Sequence, residues 1–285
     1  MFPIIGIVVV FGSIIAGYLL EDGNLHVLLQ PAELVILGGA AIGSLVIMSP
    51  PKTLMQILKS FPKLMAGSPY NKTSYVSVMS LLYTMFMKIK KDGLLAVEKD
   101  IEEPQKSPLF KAYPDILKNH HTIDFICDNL RVFVVGVDPY EMESMMDVEM
   151  DTHHQESAVA PAVITKVADS LPGFGIVAAV LGVVITMGKM SESPEVIGHS
   201  VAAALVGTFL GILLCYGFLG PIGTNLEQRA AEESKYLEAI KVGILAFAKG
   251  SAPQIAIEAA RRSLFSDSKP SFKELDAALR KKKAA

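Results

Sequence analysis

Two threonines, Thr186 and Thr208, lie within apolar stretches of the sequence that contain no acidic or basic residue. In such a helix a threonine hydroxyl often donates a hydrogen bond to the carbonyl oxygen four residues earlier. The alternative for Thr208 is that its hydroxyl lines a polar crevice shared with another helix. The spacing alone leaves both interpretations open.

Two prolines, Pro172 and Pro221, lie near the ends of the same apolar stretches. Pro221 removes a backbone donor and leaves the carbonyl one turn earlier without its usual partner. This predicts a kink, either as a flexible joint or as a static bend. Both prolines lie at the predicted cytoplasmic boundary of adjacent stretches, so together they are better candidates for a functional joint than either one is by itself.

No group in these stretches can carry an ion by itself, because none of them contains a carboxylate or an ammonium. An ion-carrying group must therefore come from a partner chain. The histidine pairs His120-His121 and His153-His154 lack further ligands at metal-binding spacing, and no nucleotide-binding, hydrolase or metalloprotease motif is present. The sequence predicts a protein that is not an enzyme and that holds no metal or cofactor.

Four uncharged apolar runs contain these residues: 2–20, 34–51, 170–188 and 196–226. A hydrocarbon core about 30 Å thick requires roughly 20 helical residues, so each run predicts a membrane span, the second only with help from its flanking residues. The predicted fold class is all-α, a polytopic membrane protein with four spans.

The distribution of charge predicts the orientation of these spans. All but Lys189 of the 26 lysines and arginines lie within 52–166 or 229–283. Because cytoplasmic segments near a membrane are enriched in these residues, the connections 21–33 and 189–195 should face away from the cytoplasm, with both termini inside it. The net charge of -3 gives no support for nucleic-acid binding.

The charged segments have helical patterns of their own. Residues 73–91 predict an amphipathic helix that Gly93 ends, and Asp138-Pro139 predicts the start of one long helix that continues into the third span. The fourth span should also extend as a helix into the cytoplasm. The predicted domains are a transmembrane hairpin (1–51), a cytoplasmic helical domain (52–168), a second transmembrane hairpin (169–226) and a cytoplasmic helical tail (227–285).

Small residues at helical spacing predict where spans approach each other closely. In the fourth span Ala203, Gly207 and Gly211 recur every four residues, and they match the glycines and alanines of 173–182 in the third span. A neighbouring line on the same helix consists of Ala204, Thr208 and Ile212. A similar pattern in the first two spans consists of Gly12, Ala16, Gly39 and Gly43.

Several segments carry a resemblance to a known family. They are Asp169-Ser170-Leu171-Pro172 through Gly182, Val206-Gly207-Thr208-Phe209-Leu210-Gly211 through Phe218, Ala252-Pro253-Gln254-Ile255-Ala256, and Val97-Glu98-Lys99-Asp100-Ile101-Glu102-Glu103-Pro104. Together with the order of spans and the loop lengths, these segments resemble the MotA family, the A subunits of the flagellar motor stator.

The resemblance implies an ion-conducting, torque-generating subunit in the bacterial inner membrane that serves flagellar rotation and chemotaxis. Copies of the subunit, a pentamer in this expectation, would surround membrane helices of the partner MotB. Each partner helix would supply the aspartate that the apolar runs of this chain lack. Membrane lipid is the other expected contact.

The resemblance also implies roles for individual residues. Pro172 and Pro221 match prolines linked to ion-driven conformational change, and Thr208 matches a threonine near the partner carboxylate. Sodium-driven members tend to carry a hydroxyl where this chain has Ala179. A methyl group cannot replace the hydration shell of Na⁺, so protons are the expected coupling ion, although Thr186 and Thr208 keep two hydroxyls available.

A second set of residues matches the family's rotor contact. Lys90 and Glu98 correspond to the cytoplasmic charged pair that engages the rotor protein FliG. Lys90 replaces the arginine common there, which keeps the charge but loses the bidentate geometry. Long-range steering tolerates that change better than a specific ion pair would. Glu149 matches a further acidic position near the membrane.

Two other functions remain open. A relative in the ExbB/TolQ group would energise outer-membrane processes, but such relatives usually have three spans, and the fourth apolar run counts against them. A structural scaffold would use the small-residue helices only to assemble other proteins.

Overall fold

The chain is helical in a computed structural model that describes residues 2–65 and 67–283. Four positions of the predicted domains lie outside the described residues: Met1, Ala66, Ala284 and Ala285. Helix is the only regular secondary structure in the part of the chain that is described, which confirms the predicted fold class.

The elements follow one another with short connections. In chain order they are α1 (Phe2–Leu20), α2 (Leu25–Leu28), α3 (Pro31–Met48), α4 (Pro51–Met65), α5 (Lys72–Asp92), a 3₁₀ turn (Leu94–Val97), α6 (Glu98–Glu102), α7 (Pro108–Lys111), α8 (Pro114–Leu117), α9 (His120–Val135), α10 (Pro139–Met187), α11 (Pro194–Leu214), a π-turn (Cys215–Leu219), α12 (Gly220–Ala248), α13 (Pro253–Arg262) and α14 (Phe272–Lys283).

Four helical segments are long and apolar enough to cross a membrane, as the four uncharged runs predict. They are Phe2–Leu20, Leu25–Met48, Pro139–Met187 and Pro194–Ala248. The second span differs from the prediction at its start. Pro31 occupies the first position of α3, three residues before Leu34, so Glu33 lies in the first helical turn. The second span therefore contains a carboxylate that the run 34–51 left out.

The third span is the C-terminal part of α10, a single helix of 49 residues. Asp138 caps its start, because the Tyr140 N–H donates to Asp138 Oδ1 at 2.8 Å and the Met142 N–H donates to the Asp138 carbonyl at 2.9 Å. Pro161 and Pro172 lie inside the helix without ending it. The predicted long helix is confirmed.

The chain divides into two compact units. The first comprises the residues up to Gly67 together with Ser157–Arg229, and the second comprises Ser68–Glu156 together with the residues from Ala230 onward. These bounds follow packing and not a membrane surface. The predicted domain boundaries therefore stay predictions.

The second unit has a large buried hydrophobic core. Helix α5 packs against α13 and α14, and Phe86 of α5 stacks on Phe247 of α12 with ring centroids 4.3 Å apart. Burial raises the pKa of the Cys127 thiol to about 12, so this thiol stays protonated and unreactive.

The end of α5 positions the predicted rotor contact. Gly93 has a φ of 88°, a left-handed value that glycine adopts without strain, and its N–H donates to the Ile89 carbonyl at 2.9 Å. The helix ends at the predicted residue. The 3₁₀ turn and α6 follow directly, so Lys90 and Glu98 lie on either side of this reversal.

The first unit buries much less of its apolar surface. Helix α1 contains no buried residue, as suits a helix that faces hydrocarbon or another chain. The predicted glycine contact between the first two spans is not formed among the residues that the structure describes, because a Cβ at Gly12, Gly39 or Gly43 would meet none of their atoms within 4 Å. Helix α1 instead places Phe11 against Phe218 of the π-turn, with ring centroids 4.7 Å apart, and α3 packs against α11.

Candidate functional site

The third and fourth spans meet at glycines, which brings their backbones into contact. A Cβ at Gly175 would lie 2.8 Å from the carbonyl oxygen of Gly207, and a Cβ at Gly211 would lie 2.6 Å from the carbonyl oxygen of Leu171. No larger residue fits at Gly175 or Gly211 unless the helices separate. The predicted close contact at Gly207 and Gly211 is confirmed. We call Gly175, Gly207 and Gly211 the glycine seam.

The contact continues along both helices beyond the seam. A Cβ at Gly182 would lie 3.0 Å from Cα of Ala204, which is 2% exposed. Ala203, the alanine that four-residue spacing predicted, is only half-buried. The contact line of α11 therefore combines spacings of three and four residues, as a helix of 3.6 residues per turn requires.

The two threonines of these helices use their hydroxyls differently. Thr186 Oγ1 donates to the Gly182 carbonyl at 2.8 Å, four residues earlier in its own helix. Thr208 Oγ1 instead donates across the seam to the Gly175 carbonyl of α10 at 3.4 Å. That distance is long for a hydroxyl donor, so the bond is weak and the hydroxyl keeps capacity for another ligand.

Two further predicted residues lie on α10. Pro172 and Ala179 are both partly exposed. The preceding residue, Ala178, is fully buried, and its Cβ lies 2.9 Å from the Cβ position of Gly207. Ala179 is therefore at the edge of the seam and not inside it.

Pro221 lies two residues beyond the π-turn, where the helix carries one residue more than an α-turn. The Gly220 N–H donates to the Cys215 carbonyl, five residues earlier. Because Pro221 has no N–H to donate, the wide turn falls where the α-helical ladder is already interrupted. The sequence predicted a distortion at Pro221, but not its form.

A cavity of about 560 Å³ opens beside the π-turn. Its lining includes Thr165, Asp169, Cys215, Pro221, Thr224 and Asn225. Pro172, Ala179 and Thr208 are not among the lining residues. Of the predicted ion-pathway residues, Pro221 thus lines this cavity, whereas Thr208 and Ala179 lie at the glycine seam.

The carboxylate of Glu33, the last residue of the predicted connection 21–33, also lies at the seam. Glu33 of α3 is 7% exposed, and its Oε2 has no hydrogen-bond partner among the described residues. A Cβ at Gly207 would lie 3.1 Å from Cδ of Glu33 and would collide with its carboxyl group. The missed signal is Pro31, because a proline at the first helical position places the helix start ahead of Glu33.

In the second unit, Lys90 and Glu98 are exposed, and neither forms an ion pair or hydrogen bond with a residue that the structure describes. Two charged residues close to them in the sequence, Lys88 and Asp100, are paired with each other instead. Lys88 Nζ lies 2.6 Å from Asp100 Oδ2, and the Ser107 hydroxyl donates to Asp100 Oδ1 at 2.6 Å. Lys88 and Asp100 thus fasten α5 to α6, whereas Lys90 and Glu98 keep their charges available to another molecule.

Glu149 occupies a different kind of position. It is half-buried, and Asn129 Nδ2 donates a hydrogen bond to its Oε2 at 3.0 Å. Asn129 is 3% exposed and also donates to the Phe125 carbonyl at 2.7 Å. The Glu149 carboxylate therefore ties α10 to α9. The rotor role of Glu149 stays a prediction, and it lacks the exposure seen at Lys90 and Glu98.

The histidines meet in a packing contact. The rings of His121 and His153 lie edge to face with centroids 5.3 Å apart, and His153 Nε2 is 3.7 Å from a Glu233 carboxylate oxygen. Within residues 2–65 and 67–283, no group of three or more His, Cys, Asp or Glu side chains is arranged to hold a metal ion.

Two family models match the sequence. The model described as Motility protein A N-terminal matches residues 4–93, and the model described as MotA/TolQ/ExbB proton channel family matches residues 117–239. Together they include every predicted ion-pathway residue and, of the predicted rotor contact, Lys90 and Glu149; Glu98 lies between the two matched ranges.

Individual proteins are similar over almost the whole chain. The sequence is 43% identical to Motility protein A of Escherichia coli (strain K12) over 277 residues, which are 97% of this chain and 94% of that protein. It is 34% identical to Chemotaxis protein LafT of Vibrio parahaemolyticus over 95% of this chain and 96% of that protein.

Two solved structures have the same fold. The structure of C. jejuni MotAB superposes with a TM-score of 0.77 at 20% identity, covering 95% of this chain and 98% of that chain. The structure of the flagellar MotAB stator complex from Bacillus subtilis superposes with a TM-score of 0.72 at 23% identity, covering 90% and 92%.

Proposed function

Because this chain belongs to the Motility protein A (MotA) family of flagellar motor stator subunits, we propose that it couples proton flow across the inner membrane to rotation of the flagellar rotor. The family consists of motility proteins and ion channels and is not a class of enzymes. The match of residues 4–93 to the motility-specific N-terminal model favours this function over an ExbB/TolQ-like one.

The observation that carries the proposal is the glycine seam with Thr208 beside it. Close backbone contact makes the relative position of the third and fourth spans sensitive to small changes at the seam. A carboxylate of a partner helix at this level would bind a proton, become neutral, and release it again. The partner is MotB, and the two similar structures are of MotAB assemblies.

The coupling ion is the proton. Ala179 presents a methyl group at the edge of the seam, and a methyl group cannot replace water around Na⁺. Thr208 has one weak hydrogen bond, across the seam, and Thr186 spends its hydroxyl on its own helix. A sodium ion requires a set of oxygen ligands, and two hydroxyls that already donate hydrogen bonds do not supply such a set.

Torque passes to the rotor protein FliG through Lys90 and Glu98. Both side chains are exposed and lack partners among the described residues, so their charges can steer and contact another protein surface. Copies of the chain assemble as a pentamer around the MotB helices. Both termini lie in the cytoplasm, and α1, which has no buried residue, faces lipid or a neighbouring copy.

A deletion experiment tests the function as a whole. Cells that lack the gene should assemble flagella but not swim, and the wild-type gene on a plasmid should restore swimming. Normal swimming of the deletion strain would contradict the stator function. Loss of iron-siderophore uptake with normal swimming would point to the ExbB/TolQ-like alternative.

Replacing Thr208 with alanine should lower proton conduction. A hydrogen bond worth about 1 kcal/mol corresponds to about fivefold in a rate, so we expect conduction to fall about fivefold. Swimming at reduced driving force should slow accordingly, while MotB co-purifies as before. The measurement is proton uptake by cells that express the complex, together with swimming speed as the proton motive force is lowered.

Two variants control for the loss of a hydroxyl as such. Thr208→Ser keeps the hydroxyl and should retain most conduction. Thr186→Ala removes a hydroxyl that is bonded within its own helix and should also conduct normally. If Thr208→Ala swims as fast as wild type at low driving force, Thr208 does not belong to the ion pathway.

A further inference from the structure

Glu33 is the one acidic side chain of the second span, and the structure gives it no partner among the described residues. The residue is 7% exposed, and Oε2 is buried without a hydrogen bond. One turn later on the same face, Leu37 is fully buried. The carboxyl group therefore faces the interior of the helix assembly and not a lipid or water surface of this chain. Further chains can only increase its burial.

The depth of the carboxyl group follows from its neighbours on the third and fourth spans. Glu33 packs on Gly207, whose Cβ position is 2.9 Å from the Cβ of Ala178. Ala178 lies near the middle of the apolar run 170–188, and Gly207 lies eleven residues into the run 196–226, about 16 Å along the helix. The carboxyl group is thus well inside the apolar layer.

An ionised carboxylate at this depth would be unstable. A buried charge without an ion pair or hydrogen bond pays its full desolvation penalty, and such a group takes up a proton instead. A bound water is one way to satisfy a buried polar atom that has no protein partner. A proton on the Glu33 carboxyl group, delivered by water, therefore accounts for its position without a buried charge.

No cation of the surrounding elements replaces that proton. The titratable side chains of these elements are His26 on α2, Glu195 and His199 on α11, and Lys166 and Asp169 on the part of α10 that belongs to the first unit, and all five are exposed. None of these five is hydrogen-bonded to Glu33, whose Oε2 has no partner in the described part of the chain.

The position of Glu33 along its own chain connects it to one side of the membrane. Gln30, three residues earlier, is the last residue of the connection 21–30, and α2 in that connection packs against α11 as α3 does. Under the proposed orientation this connection faces away from the cytoplasm. Glu33 therefore lies one helical turn from the end of this connection, which approaches the carboxyl group from the extracytoplasmic side.

We propose that Glu33 is a proton-binding site within this chain, loaded from the extracytoplasmic side and in exchange during ion passage. The proposal rests on the proposed ion-conducting function and adds a second acid to the partner's aspartate. The bond formed is O–H on the Glu33 carboxylate, and the proton comes from water and returns to water. Glu33 is an accessory site in this proposal, and the partner's aspartate stays the obligatory carrier.

The functional experiment compares Glu33→Gln with Glu33→Asp in the full complex with MotB. Glutamine has the shape of the protonated acid but cannot exchange a proton, whereas aspartate can. We expect Glu33→Gln to assemble normally and to lower proton conduction about threefold, well short of the about 10²-fold that loss of an obligatory proton-transfer group costs. Glu33→Asp should recover part of the loss. Glu21→Gln, at an exposed acid of the same connection, is the matched control and should conduct as wild type does.

Infrared difference spectroscopy of the reconstituted complex tests occupancy directly. Subtracting the Glu33→Gln spectrum from the wild-type spectrum should leave the carbonyl band of a protonated carboxylic acid, and this band should shift in D₂O. If the Glu33→Gln protein does not accumulate, the spectrum of Glu33→Asp, or of wild-type protein with isotope-labelled glutamate, replaces it in the subtraction.

The outcomes separate this proposal from the proposed function. Absence of the band, or a band that does not respond to D₂O, overturns proton exchange at Glu33. Conduction by Glu33→Gln equal to wild type also overturns it, while leaving the stator function in place if the wild-type gene restores swimming. If the wild-type gene does not restore swimming to the deletion strain, the stator function itself fails.

Discussion

Cells that carry Gly211→Val in place of the wild-type protein should not swim. A Cβ at Gly211 would lie 2.6 Å from the Leu171 carbonyl oxygen and 3.0 Å from Cα of Gly175. Both opposing atoms belong to the backbone, so no side-chain rotation relieves the collision, and the two spans must separate. Overpacking in a close contact costs about 1–3 kcal/mol, and valine adds two methyl groups to the colliding Cβ. The measurements are spreading in soft agar and the amount of MotB that co-purifies.

The matched control for this substitution is Gly198→Val on the same helix. A Cβ at Gly198 meets nothing within 4 Å, so valine there should leave swimming and assembly unchanged. Gly211→Ala should give an intermediate defect because it introduces the Cβ alone. Normal swimming of the Gly211→Val strain would show that the third and fourth spans function without this backbone contact.

Reversing both charges of the proposed rotor contact, with Lys90→Glu and Glu98→Lys together, should reduce torque severely. The double change keeps the net charge but inverts the field that an approaching protein meets, and like charges across an interface cost several kcal/mol. Since neither residue is fastened to a described residue of its own chain, folding should not suffer. Torque on tethered cells and the membrane abundance of the chain are the two readouts.

A charge reversal nearby controls for general effects of surface charge. Lys106 Nζ lies 2.9 Å from Glu103 Oε1 on the exposed surface that follows α6, and reversing this pair also conserves net charge. Lys106→Glu with Glu103→Lys should rotate normally. Equal torque loss in both double variants would remove Lys90 and Glu98 from a specific contact, and so would normal torque in the Lys90 and Glu98 variant.

The spans and the long helices could be predicted because their signals are local. An uncharged run of sufficient length has few alternatives to a membrane helix, and Asp138 before Pro139 is a strong start signal that the structure reproduces. Gly93 ends α5 for an equally local reason, its positive φ. Such features depend on residues within one turn of each other.

Features that depend on two distant segments could not be predicted from the sequence. Glu33 precedes the apolar run 34–51, and its environment is decided by Gly207, far away in the sequence. The hydrogen bond between Asn129 and Glu149 is of the same kind, because nothing near Glu149 in the sequence shows that Asn129 lies beside it.

The π-turn changes which residues of the fourth span share one face of the helix. One inserted residue rotates everything after it by about 100° relative to an uninterrupted α-helix. If the face that contains Gly207 and Gly211 is extended past Leu219 without this rotation, Pro221 and Leu226 are therefore assigned to the wrong side of the helix. Residues of α12 that are chosen for cross-linking must be offset by this angle if they are to reach the same neighbouring chains as α11.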